Sequence, residues 1–165
     1  MKNNTKKIVL IIACVVLSIC IVLGALFLIN HIGDCTLSLD RKTVLAGDNV
    51  ELEITLDKNK GFYYGCITLE YDASAIEFVS YTRGDVFDEC ALNDIGGQVI
   101  MLVNQSDLTL SKENGMVARL KFRVKQNAKD GEYDIKFVEE TNFCNIEDAE
   151  NLIVPKFENG KITVK

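Results

Sequence analysis

Few residues in this chain are of types that do chemistry, and their placement removes most of the reactions they could serve. The single histidine, His31, stands two residues past a long apolar run that ends at Ile29. It therefore has no patterned partner, and neither a nucleophile–histidine triad nor a histidine-based metal site can be assembled around it. Glycoside hydrolysis would need only two facing carboxylates. With 24 acidic residues in the chain some pair will be close by accident, so no catalytic residue is assigned. The acidic clusters "DVFDE" (Asp85, Asp88, Glu89) and "NIEDAEN" (Glu147, Asp148, Glu150) could in principle hold calcium. Neither has the spacing of a calcium loop, and both read as solvated turns. Arg83-Gly84-Asp85 reads as a turn between two strands rather than an adhesion motif, and Asn104-Gln105-Ser106 is formally a glycosylation acceptor. The expectation is a protein that is not an enzyme, with no metal and no cofactor.

The cysteines divide by position. Cys14 and Cys20 lie inside the apolar run and act as apolar fillers, whereas Cys35, Cys66, Cys90 and Cys144 follow it. Their spacings are too wide for a zinc knuckle. Sequence alone leaves open which of the four pair, or whether they stay thiols.

The run itself, "IVLIIACVVLSICIVLGALFLI" from Ile8 to Ile29, contains no charged residue. As a helix it would be roughly 33 Å long, enough to cross a bilayer core. It is longer than the apolar core of a signal peptide and lacks a good small-residue cleavage site. Lys2, Lys6 and Lys7 precede it, and every acidic residue follows it. The expected organisation is a cytoplasmic N-terminus over 1–7, a single membrane-spanning anchor over 8–30, a short linker over 31–35 and an extracellular domain over 36–165. The formal net charge of the whole chain is −6, and the exported part is more acidic still, which excludes nucleic acid as a partner.

Beyond the linker the pattern has a period of two. In "NVELEITL", Val50, Leu52, Ile54 and Leu56 face one way; in "MVARLKFRVK", Met116, Ala118, Leu120, Phe122 and Val124 do; in "EYDIKF", Tyr133, Ile135 and Phe137 do. These are strands with one buried and one wet face. Turn signals such as "LAGDN", "KNKG", "IGG", "KENG" and "KDGE" separate them, and no segment after the apolar run has a helical period. An antiparallel sandwich or jelly roll follows.

Two strands carry more apolar character than one buried face requires. Counting from inward Ile67 and Leu69 puts Tyr64, Cys66, Thr68 and Glu70 on the outer face of "YYGCITLE". In "QVIMLVNQ", Val99, Met101 and Val103 form one face, and Ile100, Leu102 and Asn104 the other. Only one face can meet the core, so Ile100 and Leu102 are expected outside, where an apolar pair marks an interaction site.

The order of these signals resembles the cohesin module of cellulosome-type systems. The matching pieces are "VLAGDNVELEITL", "GCITLEYDASAIEFVSYTRGDVF", "NGMVARLKFRVKQNAKDGEYDIKF" and the closing "ENGKITVK". The resemblance implies an all-β jelly-roll sandwich of about nine strands, close in shape to carbohydrate-binding modules. It also implies non-catalytic docking of a dockerin-bearing protein on one sheet face. By position, Tyr64, Cys66, Leu102 and Gln105 would lie on that face, with Tyr64 and Cys66 standing where relatives carry polar residues and Gln105 where they carry an acid. "GCITLEYD" would be a central strand and "ASAIEFVSYTRGD" its returning neighbour. Two alternatives stay open at this point: a surface module that binds polysaccharide through Tyr64 and Tyr81, and a structural or adhesive ectodomain with no dockerin partner.

Overall fold

The computed structural model describes residues 35–106, 114–145 and 148–165. The expected anchor over 8–30 and Glu147 lie outside these residues, as do the side chains of Asp148 and Glu150. Residues Cys35–Lys165 form a compact unit of their own.

The described residues contain thirteen strands and no helix. They are β1 (Thr36–Leu39), β2 (Arg41–Val44), β3 (Asn49–Asp57), β4 (Tyr64–Glu70), β5 (Ile76–Arg83), β6 (Glu89–Asp94) and β7 (Gln98–Asn104). After these come β8 (Gly115–Val124), β9 (Gly131–Phe137), β10 (Asn142–Asn145), β11 (Asp148–Ile153), β12 (Lys156–Glu158) and β13 (Gly160–Val164). One sheet has five strands in the order β12-β1-β3-β8-β5. The other has eight: β11-β10-β4-β9-β13-β2, with β7 on the free side of β4 and β6 beyond it.

The strand count exceeds the expected nine because single stretches of chain serve both layers. At Asp40 the chain leaves β3 and joins β13; at Asn159 it leaves β1 and joins β9. Each crossing is pinned by a side chain. The Asn159 carboxamide oxygen accepts the Phe137 N–H at 3.0 Å. The Asp40 carboxylate accepts the Glu53 N–H at 3.4 Å, while its backbone N–H donates to the Glu53 carbonyl and its carbonyl accepts the Lys161 N–H.

The alternation seen in the sequence becomes the core. Leu52, Ile54 and Leu120 of one sheet and Ile67, Leu69 and Met101 of the other are wholly buried. Each such side chain contributes about 1.5–3 kcal/mol relative to exposure. Two β-bulges shift the pattern. Between Ile54 and Thr55 an extra residue, Val117, enters β8, so Met116 pairs with Thr55 on the wet face instead of pointing inward as its spacing suggested. In β5 the extra residue is Val79, which is left exposed.

β5 also corrects the expected neighbourhood of β4. It does not return beside β4 but crosses to the opposite sheet and pairs with β8. The "YDAS" turn makes the crossing. Asp72 accepts the Ser74 N–H and Oγ–H at 2.8 and 2.6 Å, and its carbonyl accepts the Ala75 and Ile76 N–H groups. Tyr71 anchors the turn from the inside, edge-on to the Phe122 ring, with its hydroxyl donating to Asp94 at 2.7 Å.

Burial, reinforced by the Asp94 carboxylate, holds the Tyr71 hydroxyl above its ordinary pKa. It stays protonated in the fold after the unfolded chain would have ionised, so the stability it supplies is present below pH ~10 and is lost as pH rises through the folded value. Tyr71→Phe should therefore cost about 1 kcal/mol at pH 8. It should also flatten the fall in urea midpoint between pH 9 and pH 11, roughly the range in which a tyrosine titrates; an equally steep fall in the variant would assign that loss to other groups.

Candidate functional site

The outer face of the eight-stranded sheet is two surfaces of different chemistry. On β9 and β13 it is charged: Lys161 reaches Glu132 at 2.6 Å and Asp134 at 3.9 Å, and Lys136 reaches Asp134 at 3.5 Å. On β10, β4, β7 and β6 it is mostly apolar. The registers build it row by row, with Asn142–Cys66–Leu102–Ala91 in one row and Cys144–Tyr64–Asn104–Glu89 in the next. Thr68, Ile100 and Asn93 make a third. Leu102 is 51% exposed and Tyr64 40%, large values for such side chains on a sheet face.

Most of the expected contact residues are therefore brought together: Tyr64, Cys66, Ile100, Leu102 and Asn104 share one plane. Glu70 is exposed too, but it stands in register with Lys136 at the border of the charged half.

Two expected members are not on the surface. Thr68 is 5% exposed: the chain past β9 folds against it, with Thr141 Oγ accepting the Thr68 N–H at 2.9 Å and donating to the Thr68 carbonyl at 3.0 Å. Gln105 is 7% exposed. It lies past the last residue of β7, where alternation stops governing orientation, and its Nε2 donates to the Val86 carbonyl at 2.9 Å. It ties the end of β7 to the 84–88 loop and contributes no contact surface.

Sequence reasoning also missed residues. Ala91 and Glu89 extend the face onto β6, and Leu152 and Val154 extend it beyond β10. Ile153 pairs with Phe143 and turns inward, which puts Leu152 and Val154 outside at 55% and 57% exposure. The signal was the "LIV" run before Pro155, whose middle residue alone faces the core.

A shallow cavity of about 540 Å³ opens where β4, β7 and β6 meet, lined by Tyr63, Tyr64, Glu89, Cys90, Ala91, Leu102, Val103 and Asn104. Burial pushes the Cys90 thiol up to about 11, with Arg83 pulling weakly the other way, so it is protonated and unreactive at neutral pH. Cys66 and Cys90, the two cysteines of the contact face and its cavity, are thiols in this structure.

Aromatic rings support this end from below. Phe143 stacks on Phe62 at 4.7 Å and on Phe87 at 6.0 Å, all three fully buried. Gly65 makes room for them. Asn59 shapes the preceding loop, its carboxamide oxygen accepting the Gly61 and Phe62 N–H groups. Tyr64 is thus carried on a rigid platform.

The remaining candidates have structural duties. Arg83-Gly84-Asp85 is not a free turn but continues along β8: the Gly84 N–H donates to Val117 at 2.8 Å, and the Arg83 guanidinium is held by the Phe87 carbonyl. A Cβ on Gly84 would meet the Met116 carbonyl oxygen at 1.7 Å, so the glycine serves close approach. Asp88 accepts the Ser106 N–H and Oγ–H at 3.0 and 2.9 Å, which holds its carboxyl below the usual range. The half-buried Tyr81 donates its hydroxyl to the Cys90 carbonyl at 2.9 Å, and so it is not a free platform for a sugar.

These features define a class: a β-sandwich that presents a flat, partly apolar sheet face on a rigid support, with carboxylates such as Asp72, Asp88, Glu132 and Asp134 committed to turns and ion pairs rather than aimed at a common point. Residues 35–164 match the cohesin domain. The chain belongs to the cohesin domain family, a family of non-catalytic protein-interaction modules, as its motifs led one to expect. Among curated proteins nothing matches. Solved structures share the fold. The seventh ScaB type I cohesin of Pseudobacteroides cellulosolvens is 23% identical, with a TM-score of 0.72 over 79% of this chain and 92% of that one. The OlpA cohesin of Clostridium thermocellum, solved in a type I cohesin–dockerin complex, is 19% identical, with a TM-score of 0.71 over 80% and 99%. A non-cellulosomal cohesin from the archaeon Archaeoglobus fulgidus is 13% identical, with a TM-score of 0.68 over 80% and 91%.

A methyl group at residue 65 would meet two Phe143 ring atoms at 2.3 and 2.5 Å. Gly65→Ala should accordingly lower stability by about 2 kcal/mol, the cost of overpacking a filled core. Urea denaturation measures this, and an unchanged midpoint would mean that the ring stack yields freely.

Proposed function

We propose that this protein is a membrane-anchored, extracellular cohesin module that docks a dockerin-bearing protein and so attaches it to the cell surface, in a non-catalytic role in cellulosome-type polysaccharide degradation. One observation carries the reading: Leu102 stands half-exposed at the centre of an apolar patch on an otherwise charged sheet face, a place where exposure costs free energy unless something covers it. Flat sheets suit docking because little loop ordering has to be offset on binding. Support for the kind of partner comes from the similar OlpA cohesin of Clostridium thermocellum, which was solved in a type I cohesin–dockerin complex. Support for the location comes from the uncharged Ile8–Ile29 run with its preceding lysines, which orients the N-terminus to the cytoplasm and the domain outward. Polysaccharide is the weaker partner, since the Tyr81 hydroxyl is engaged and Tyr64 is left as the single exposed aromatic of the patch. A cohesin acting outside a cellulosome is the second reading, favoured by the archaeal neighbour described as non-cellulosomal.

Immobilised residues 35–165, challenged with secreted dockerin modules, should retain them. Leu102→Asp should weaken capture about 30-fold, the ~2 kcal/mol of a central contact residue. The thermal midpoint should meanwhile stay within the range of surface substitutions. Retention of no dockerin would remove the cellulosomal reading, and a large loss of stability would make Leu102 a core residue instead. For the full chain, the anchor predicts retention in the membrane pellet after alkaline carbonate extraction and digestion of the domain by protease added to intact cells. Release into the supernatant would overturn it.

A further inference from the structure

The cavity between β4, β7 and β6 combines two features. Its walls include Leu102, Ala91 and the Tyr64 ring, while Glu89 and Asn104 bring a carboxylate and a carboxamide into its lining. Tyr64, Asn104 and Glu89 are successive members of one cross-strand row, so the three polar tips stand side by side. None of these side chains makes a hydrogen bond or ion pair with any described residue.

Several carboxylates of the domain are engaged where Glu89 is not. Glu132 and Asp134 are paired with lysines, Asp88 with Ser106, Asp94 with Tyr71 and Glu53 with Arg119. Glu70 makes no pair but stands in register with Lys136. Arg83, whose charge reaches Cys90 and Asp88, is turned to the Phe87 carbonyl and makes no ion pair with Glu89. An unpaired carboxylate beside a half-apolar hollow is complementary to a side chain with an apolar stem and a cationic head.

We infer that this cavity is the specificity pocket for an arginine side chain of the docking partner. The stem lies against Leu102 and Ala91, the guanidinium pairs with Glu89 and Asn104, and its plane stacks on Tyr64. Arginine fits better than lysine because a planar fork can meet a carboxylate with two bonds and an aromatic ring with its face. The inference rests on the docking reading for where the arginine comes from, but the pocket can be probed without any dockerin.

The experiment titrates isotope-labelled residues 35–165 with N-acetyl-arginine methylamide, N-acetyl-lysine methylamide and the neutral isostere N-acetyl-citrulline methylamide. The NMR signals followed are the Ala91 and Leu102 methyls and the Asn104 side-chain amide. Arginine should shift all three, lysine less, and citrulline hardly at all. Added salt should weaken the arginine effect. Glu89→Gln, a surface change with an otherwise unaltered spectrum, should weaken it about three- to fivefold, the size of a half-exposed ion pair. Equal shifts from citrulline and arginine, or none from arginine up to its solubility limit, would overturn the pocket. Dockerin capture that survives such a result would leave docking intact and remove only the arginine. Arginine binding with no dockerin retained would remove the docking reading instead.

Discussion

The constraint on which the structure depends is the register between β4 and β7. Seven cross-strand pairs, from Tyr64↔Asn104 to Glu70↔Gln98, fix which side chains share a face. Because side chains alternate with a period of two, a slip of one residue would exchange the faces. If β7 slipped, Met101 would be driven into water and Leu102 into the core. Burying Ile67, Leu69, Val99, Met101 and Val103 together is what makes the observed register the stable one. The exposure of Leu102 is therefore a consequence of core formation: the residues between core residues have nowhere else to go.

The same plane explains why recognition suits this molecule. Turnover needs ionisable groups converging on a shielded point, whereas here carboxylates close turns, as Asp72 does, or secure loops, as Asp88 does. The Phe62–Phe143–Phe87 stack and the Asn59 loop hold the Tyr64 end rigid, so a partner meets a surface that is already ordered. The charged half, laced by Lys161 and Lys136, gives the apolar half a solvated border along its β9 side.

Much of the fold was legible because local alternation and burial report the same physics. The inward sets of β3, β4, β7 and β9 and the outward Tyr64, Cys66, Ile100 and Leu102 could be counted off directly. The errors fall where alternation is interrupted. Met116 faces outward because Val117 is an extra residue in a bulge. Gln105 is buried because it lies beyond the last paired residue of β7, and Thr68 because Thr141 arrives from 73 positions away to bond it. Leu152 and Val154 escaped notice because an unbroken apolar run does not reveal which residue turns inward.

By itself, the sequence determined that the part beyond the apolar run is a sandwich of alternating strands and that β4 and β7 keep apolar residues outside. These properties are local: each depends on neighbours two positions apart in the same strand. The tertiary structure alone decided that β5 crosses to the opposite sheet and that β6 and β11 widen the face. It also decided that Tyr81 and Gln105 are spent on internal bonds and that Glu89 finds no partner among the described residues. The physical reason is that sheet membership and hydrogen-bond partnership are set by long-range pairing, in which segments dozens of residues apart compete for the same edge, and no local period records the outcome.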